Sequence, residues 1–232
     1  MPVKKEVWNS IREGALAALP LAFGYLPVAM AFGLLAKNTA LFFQDSFLCS
    51  LLVYAGASQF MALDMIRDGI SIGSIILATF LLNLRHFIMS ASLSVRLQAV
   101  KKRWLFLIAF GVTDETFSVL SLNDRELTLP YLLTLQVVPY LSWVGGTMVG
   151  YLAGALLPAS IQLSLGIGLY ALFMALLAPE LKKSRSVLLL AAMSGIFYTV
   201  GAHFQLLPAS WCFIAAVILA SGIGAFVIKE DV

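Results

Sequence analysis

The chain has 232 residues, of which 61% are hydrophobic and 12% are charged, with a formal net charge of +3. An ordinary soluble domain carries about 25% charged residues, so this composition excludes a soluble domain. The lipid bilayer is the expected solvent. The small positive charge gives no reason to expect nucleic acid as a partner.

We predict an all-α, polytopic bundle of membrane helices that forms a single integral membrane domain over residues 1–232. A helix needs about 20 residues to cross the hydrocarbon core. Eight apolar stretches are the candidate segments, and the second and sixth are short: 14–36, 46–63, 70–95, 104–122, 129–157, 161–178, 187–203 and 207–228. The polar residues 1–13 are predicted to be a cytoplasmic tail and not a secretory signal.

Three basic regions, near residues 4–12, 96–103 and 182–185, set the topology problem. Lys and Arg favour the cytoplasmic side, which predicts that all three lie inside. Eight simple crossings place adjacent basic regions on opposite faces. Two alternatives follow: six crossings with segments two and six entering and leaving on one face, or eight crossings with one loop that breaks the rule.

A weak internal repeat points to two halves, 1–125 and 126–232. The tetrapeptide Phe60–Leu63 recurs as Phe173–Leu176. Halves with three crossings each would be oppositely oriented, and inverted repeats with interrupted helices are a recurring plan of transporters.

Helix breaks are predicted at four positions. Pro20 and Pro27 lie inside segment one and Pro139 inside segment five, where each removes a backbone hydrogen bond. Gly56 lies in the small-residue run 54–59 of segment two, where a break would expose amides and carbonyls to a zwitterion. The alternative for this run is close packing of helices through small residues.

The strongest local signals are two polar motifs in the middle of apolar segments, Asn83–His86 and Thr113–Thr116. A charge at bilayer depth costs a few kcal/mol unless it is paired or hydrated. Arg85 and Asp114 are nearly equidistant along the chain from the loop near residue 100, so an antiparallel hairpin would bring Arg85 to Asp114 or Glu115. This pair either takes part in transport or only clamps the helices together.

We expect Gln59, Asn83 and Arg85 to bind the carboxylate end of a substrate, and Ser58 is a further substrate-binding candidate. Asp114, Glu115 and His86 are the candidates for proton or ion coupling. No metal ligand set is visible, and neither a metal nor another cofactor is expected.

These motifs resemble the AzlC/YgaZ family of branched-chain amino acid exporters. The matching stretches are Pro20–Pro27, Tyr54–Phe60, Asn83–Leu93 and Thr113–Phe117. The resemblance implies export of valine, leucine and isoleucine across the inner membrane, with methionine as a further candidate. It also implies a second, small AzlD-like membrane subunit.

The predicted function is secondary-active export coupled to a proton or ion gradient. The sequence contains no Walker-type Gly-Lys-Ser/Thr stretch, so ATP hydrolysis by this chain is not expected. It also lacks a His-Glu-x-x-His pattern, and His86 and His203 have no matching metal ligands, which disfavours an intramembrane enzyme. A passive channel with re-entrant half-helices and a structural subunit of a transport complex are the alternatives.

Overall fold

The computed structural model describes residues 2–98, 100–123, 127–205 and 207–227. These residues form ten α-helices and contain no strand, which confirms the all-α prediction. The helices are α1 Pro2–Asn38, α2 Phe43–Leu52, α3 Gly56–Arg67, α4 Ile72–Ser94, α5 Lys102–Phe110, α6 Asp114–Ser121, α7 Leu129–Ala153, α8 Ala159–Lys183, α9 Arg185–His203 and α10 Ala209–Val227.

Four helical stretches among the described residues are long and apolar enough to cross a membrane. They are Lys5–Asn38, Ile72–Leu97, Leu129–Leu156 and Arg185–His203. Backbone groups cannot be hydrated in the hydrocarbon core, so long apolar helices are the form that such a chain takes there.

Two of the apolar segments are interrupted. Segment two consists of α2 and α3, which are separated by residues 53–55, and Gly56 is the first residue of α3. Segment four consists of α5 and α6, which are separated by residues 111–113. The expectation of a continuous helix over 104–122 was therefore wrong, because a hydropathy pattern does not register a turn made by Gly, Val and Thr.

The prolines do not interrupt their helices. α1 continues through Pro20 and Pro27, and α7 continues through Pro139, so these three predicted breaks were wrong. Membrane helices tolerate proline when neighbouring groups satisfy the freed backbone. α7 also contacts the α1 backbone in this region, since the Ser142 hydroxyl donates to the Ala22 carbonyl at 2.7 Å.

Segment six is longer than its apolar core indicated. α8 runs without a break from Ala159 to Lys183, through Pro179 and into the basic residues that were assigned to a loop. At a rise of about 1.5 Å per residue, it is long enough to cross the hydrocarbon core. A short, re-entrant segment six does not fit this helix.

The chain divides into two compact units. The first contains Met1–Leu63 and Asn83–Leu169, and the second contains Asp64–Leu82 and Tyr170–Val232. In the second unit, α9 packs against α10, with Gly201 next to the buried thiol of Cys212. The first unit carries both interrupted segments and the polar motifs.

α1 and α7 form the centre of the first unit and run parallel to each other. Gly14 faces Tyr131 near the start of both helices, Gly146 faces Ala29 further along, and Gly154 faces Leu34 beyond the end of α7. The small residues allow this close approach. Two halves of opposite orientation would make α1 and α7 antiparallel. Six crossings with segments two and six re-entrant would do the same. The parallel course of α1 and α7 disagrees with both hypotheses.

The α5–α6 segment is a helical hairpin. The Arg96 guanidinium, just before α5, donates to the carbonyls of Leu120, Ser121 and Asn123 at the end of α6. The start of α5 and the end of α6 therefore lie on the same side of the unit.

The α2–α3 segment also returns on itself. Leu63 of α3 is clustered with Phe32 and Ala36, near the C-terminal end of α1. The ring of Phe43, the first residue of α2, lies 5.4 Å from the ring of Tyr151 near the C-terminal end of α7. The turn of this hairpin meets the other one, since the ring centroids of Tyr54 and Phe110 are 6.1 Å apart.

Candidate functional site

The first interruption, at residues 53–55, has an unusual backbone. Tyr54 has a φ of +46°, a left-handed conformation that costs an L-residue about 1–2 kcal/mol. The Ser58 hydroxyl donates to the Ala55 carbonyl at 2.9 Å. Gly56 lies against the Trp143 indole of α7, where an added Cβ would be 2.7 Å from the ring. Glycine is therefore required for the start of α3 to approach α7 this closely.

A buried polar network holds this interruption in place. Gln59 is only 1% exposed. Its Nε2 donates to Ser50 Oγ at 3.2 Å, and its Oε1 accepts from Trp143 Nε1 at 3.1 Å. Ser50 in turn lies 2.8 Å from Thr147 Oγ1. Protein groups thus occupy both ends of the Gln59 amide, which links α2, α3 and α7.

The second interruption is set by a helix cap. Thr113 Oγ1 accepts from the Thr116 amide at 3.2 Å, and Thr116 Oγ1 accepts from the Thr113 amide at 2.8 Å. This reciprocal capping box fixes the start of α6 and puts Asp114 and Glu115 in its first turn, where the helix dipole favours carboxylates. On the other side of the break, Gln136 of α7 donates to the Ile108 carbonyl at 2.9 Å.

The two carboxylates have different partners. Arg85 Nη1 of α4 donates to Asp114 Oδ2 at 2.6 Å, as the spacing predicted, and the two side chains are 29% and 30% exposed. Glu115 is only 6% exposed and accepts a hydrogen bond from the Tyr25 hydroxyl of α1. The spacing left open whether Arg85 meets Asp114 or Glu115, and only Asp114 pairs with it, because consecutive helical residues point in different directions.

Asn83 connects α4 to the first interruption. Its Nδ2 donates to Ser58 Oγ at 3.1 Å. His86 lies beside Arg85 on α4 and is half-buried. Of the residues predicted to bind substrate or couple ions, Ser58 and Asn83 contact each other and Arg85 contacts Asp114. Gln59 and Glu115 instead reach partners on α7 and α1.

Aromatic rings surround the point where the two hairpins meet. The Tyr54 ring is 5.0 Å from Tyr140 and 6.4 Å from Tyr25, and Tyr25 is 5.6 Å from Trp143. Phe110 completes the group at 5.6 Å from Tyr140. This apolar surface lies next to the charged and amide groups of the two interruptions.

Four buried side-chain atoms lack a hydrogen-bond partner in the described part of the chain. They are Tyr54 Oη, Asn83 Oδ1, Arg85 Nε and Gln136 Oε1. All four belong to residues that form or contact the two interruptions. Buried polar atoms are rarely left unpaired, so each one requires an explanation, and an unplaced ligand or water is a common one.

Sequence reasoning missed several residues of this site. Tyr25, Gln136 and Trp143 lie in segments that were interpreted only as apolar spans, and nothing local distinguishes them from packing residues. The break before Asp114 had a visible signal, since Thr113 to Thr116 has the spacing of a helix N-cap. Among the described residues, no group of three or more His, Cys, Asp and Glu side chains is placed to hold a metal ion.

Parallel scaffold helices, two interrupted helical segments and charges at the interruptions define a multi-pass helical membrane protein of the transporter type. A sequence model of the AzlC protein family matches residues 20–157, which include both interruptions. The chain therefore belongs to the AzlC family, as the motifs predicted.

Individual relatives agree with this assignment. The chain is 40% identical to an uncharacterized membrane protein of Archaeoglobus fulgidus, over 74% of this chain and 76% of the relative. It is 34% identical to the inner membrane protein YgaZ of Escherichia coli, over 79% and 78%. It is 22% identical to the branched-chain amino acid transport protein AzlC of Bacillus subtilis, over 67% and 62%. No solved structure gives a significant match.

Proposed function

We propose that this chain exports branched-chain amino acids across the inner membrane and binds them where its two hairpins meet. The observation that carries the proposal is the set of four unpartnered atoms, two of which donate and two of which accept hydrogen bonds. Arg85 Nε and Tyr54 Oη suit a carboxylate, and Asn83 Oδ1 and Gln136 Oε1 suit an ammonium group. Together they match both ends of a zwitterionic amino acid.

The helix ends support the same orientation. α3 and α6 both begin at the interruptions, and helix N-termini favour anionic groups. α2 and α5 end there, and helix C-termini favour cationic groups. The aromatic surface formed by Tyr25, Tyr54 and Phe110 provides an apolar contact for an aliphatic side chain.

Gln59 and Ser58 have a structural role in this proposal and do not contact the substrate. Gln59 and Ser58 hold the first interruption in place, because their polar groups already have protein partners. Arg85 and Asn83 remain substrate contacts. Asp114, Glu115 and His86 remain the candidates for coupling, and Glu115 bonded to Tyr25 links a carboxylate of the α5–α6 hairpin to the scaffold helix α1.

Two re-entrant hairpins would also satisfy the preference of basic residues for the cytoplasmic side. If α2–α3 and α5–α6 each enter and leave on one face, six segments cross the membrane, and all three basic regions lie in the cytoplasm with the N-terminus. The contacts of Arg96 support this for α5–α6, and the parallel course of α1 and α7 agrees with it. Backbone that is not helical is tolerated at membrane depth where protein buries it or where it lines a cavity.

Export driven by a proton or ion gradient, together with a small AzlD-like subunit, completes the proposal. Membership of the AzlC family and similarity to the branched-chain amino acid transport protein of Bacillus subtilis support amino acid transport as the activity. None of the residues of α9 is buried within this chain, which leaves that helix for lipid or for a second subunit.

Valine efflux from reconstituted vesicles tests the proposal. Vesicles that contain this chain, with and without a co-expressed small subunit, are loaded with labelled valine and given an imposed gradient. We expect gradient-dependent efflux that unlabelled leucine inhibits and glycine does not. Lack of efflux from vesicles with both subunits would contradict the proposal, and efflux that ignores the gradient would indicate a passive channel.

Arg85→Gln and Arg67→Gln are the matched variants. Both remove an arginine that pairs with an aspartate, but Arg67 pairs with Asp64 at an exposed position at the end of α3. A charged hydrogen bond contributes about 1.5–3 kcal/mol, so Arg85→Gln should reduce efflux about 10- to 100-fold. Arg67→Gln should retain it. Equal rates for the two variants would remove Arg85 from the site.

A further inference from the structure

The two carboxylates at the start of α6 differ in how their charge is balanced. Asp114 pairs with Arg85 at 2.6 Å, and its side chain is 30% exposed. Glu115 is only 6% exposed, and among the described residues no lysine, arginine or histidine forms an ion pair with it. A charge at membrane depth is costly unless it is paired or hydrated. Of the two carboxylates, Glu115 is therefore the one whose charge a bound proton would relieve.

Glu115 lies at the end of a chain of hydroxyl groups. The Tyr25 hydroxyl of α1 contacts Glu115 Oε2 on one side and lies 2.7 Å from Thr113 Oγ1 on the other. Thr113 Oγ1 lies 3.3 Å from Thr116 Oγ1, which donates to the Gly111 carbonyl at 3.0 Å. A hydroxyl has one proton, so Tyr25 donates to only one of its two neighbours at a time.

Two arrangements of the hydroxyl protons satisfy this chain. When Glu115 is ionised, Tyr25 donates to the carboxylate and Thr113 donates to Tyr25. When Glu115 is protonated, its carboxyl group donates to Tyr25 and Tyr25 donates to Thr113. Thr113 then donates to Thr116, whose own bond to the Gly111 carbonyl is the same in both arrangements. The chain can therefore accept and release a proton without leaving a buried hydroxyl unpaired.

The other charged and titratable groups near Glu115 do not neutralise it. Those described are Tyr25 of α1, Tyr54 of the first interruption and Asp114 of α6, with Arg85 and His86 of α4 acting on Asp114. α7, which packs against both hairpins, contains no Asp, Glu, Lys, Arg or His. The charge of Arg85 is balanced by Asp114, so among the described groups a proton is what remains for Glu115.

From this arrangement we infer that Glu115 binds the proton that drives export and that Tyr25 is its positioning residue. The inference rests on the proposed export of amino acids. Glu115 takes the proton from the outer face and gives it up to the cytoplasm, in exchange for outward movement of the substrate. A hydrogen bond to an ionised group is stronger than a neutral one, so protonation weakens the contact between the α5–α6 hairpin and α1. The Tyr25 ring is 6.4 Å from Tyr54, so this change reaches the proposed substrate site.

Two transport modes of reconstituted vesicles separate this inference from the proposed function. Efflux of labelled valine into a medium more acidic by about one pH unit uses the proton site. Exchange of internal labelled valine for external unlabelled valine, at equal pH on both faces, does not. Glu115→Gln keeps the size of the side chain but cannot ionise, and Glu6→Gln makes the same change at an exposed position near the start of α1.

We expect the gradient to accelerate efflux about tenfold in the wild type and in Glu6→Gln, since about one pH unit corresponds to a factor of about ten. It should not accelerate efflux in Glu115→Gln, and exchange should continue in all three proteins. Gradient-accelerated efflux from Glu115→Gln would overturn the inference and leave Asp114 and His86 as the candidates for coupling. Loss of exchange in a folded Glu115→Gln would also overturn it, because Glu115 would then belong to the substrate site. Failure of the wild type in both modes would instead contradict the proposed function.

Tyr25→Phe tests the positioning role and replaces Glu115→Gln if thermal unfolding shows that this variant does not fold. It removes the hydroxyl that donates to the ionised carboxylate and leaves Glu115 in place. The gradient should still accelerate efflux, but the pH at which efflux is half-maximal should rise by about one unit, because the ionised form loses the stronger hydrogen bond. A pH profile identical to that of the wild type would overturn the inference.

Discussion

The close packing of α1 and α7 can be tested with two adjacent glycines of α7. An added Cβ at Gly146 would lie 2.7 Å from Ala29 Cβ and 2.9 Å from the Leu26 carbonyl oxygen, both on α1. An added Cβ at Gly145 would meet nothing within 4 Å. The variants Gly146→Ala and Gly145→Ala therefore make the same chemical change on two different faces of one helix.

The expected magnitudes follow from these distances. Carbon atoms in good contact are about 3.5–4.0 Å apart, so α1 would have to move by about 1 Å to accommodate Gly146→Ala. Overpacking of this kind lowers the free energy of unfolding by about 1–3 kcal/mol. Gly145→Ala should raise it by about 0.5–1 kcal/mol, because alanine favours the helix more than glycine does.

Reversible unfolding in mixed micelles measures both free energies, and valine efflux measures the effect on the site. Gly146→Ala should also reduce efflux, since α1 carries Tyr25 and α7 carries Trp143 at the meeting point of the hairpins. Equal stabilities of Gly145→Ala and Gly146→Ala would refute the close parallel packing on which the site depends.

Three further predictions concern individual polar groups. Tyr54→Phe removes a hydroxyl without a partner, so it should raise the KM for valine and leave the unfolding free energy unchanged. Tyr140→Phe removes a hydroxyl that donates to a backbone carbonyl at 2.8 Å, so it should lower the unfolding free energy by about 1 kcal/mol. The opposite order of stabilities would be inconsistent with these contacts. In a double-mutant cycle with Arg85→Gln and Asp114→Asn, unfolding in mixed micelles should give a coupling free energy of about 1–3 kcal/mol, and additive effects would show that the 2.6 Å pair does not form. Gln59→Leu leaves a buried indole N–H unpaired and removes one of the two hydrogen bonds of the Ser50 hydroxyl. It should lower the unfolding free energy by about 1–3 kcal/mol, so a fully stable variant would argue against the buried network.

The membrane helices were predictable because the bilayer imposes a simple constraint. Every backbone group at membrane depth needs a partner in the protein, so a run of about 20 apolar residues predicts a helix. The pairing of Arg85 with Asp114 was predictable for a related reason. Charges in apolar segments need partners, and these two residues are nearly equidistant along the chain from the loop near residue 100. The pairing was right although the helix that carries Asp114 is broken.

The missed features depend on groups that are distant in sequence. Gly56 and Gly111 each lie against a side chain of α7, Trp143 in one case and Gln136 in the other. No local pattern specifies these contacts, because they exist only after α7 packs beside both hairpins. The break at residues 111–113 was the one feature with a local signal, and the helix-capping pattern that begins at Thr113 was interpreted as a polar motif inside a continuous helix.

The most direct test of two hairpins that meet within the membrane is the face on which each end of α5–α6 lies. In a Cys49→Ser/Cys212→Ser background, single cysteines are introduced by Lys101→Cys, Thr128→Cys and Thr39→Cys and labelled with an impermeant maleimide. We predict that residues 101 and 128 react only from the cytoplasmic face and residue 39 only from the opposite one. Labelling of 101 and 128 from opposite faces would show that this segment crosses the membrane and would contradict the proposed site.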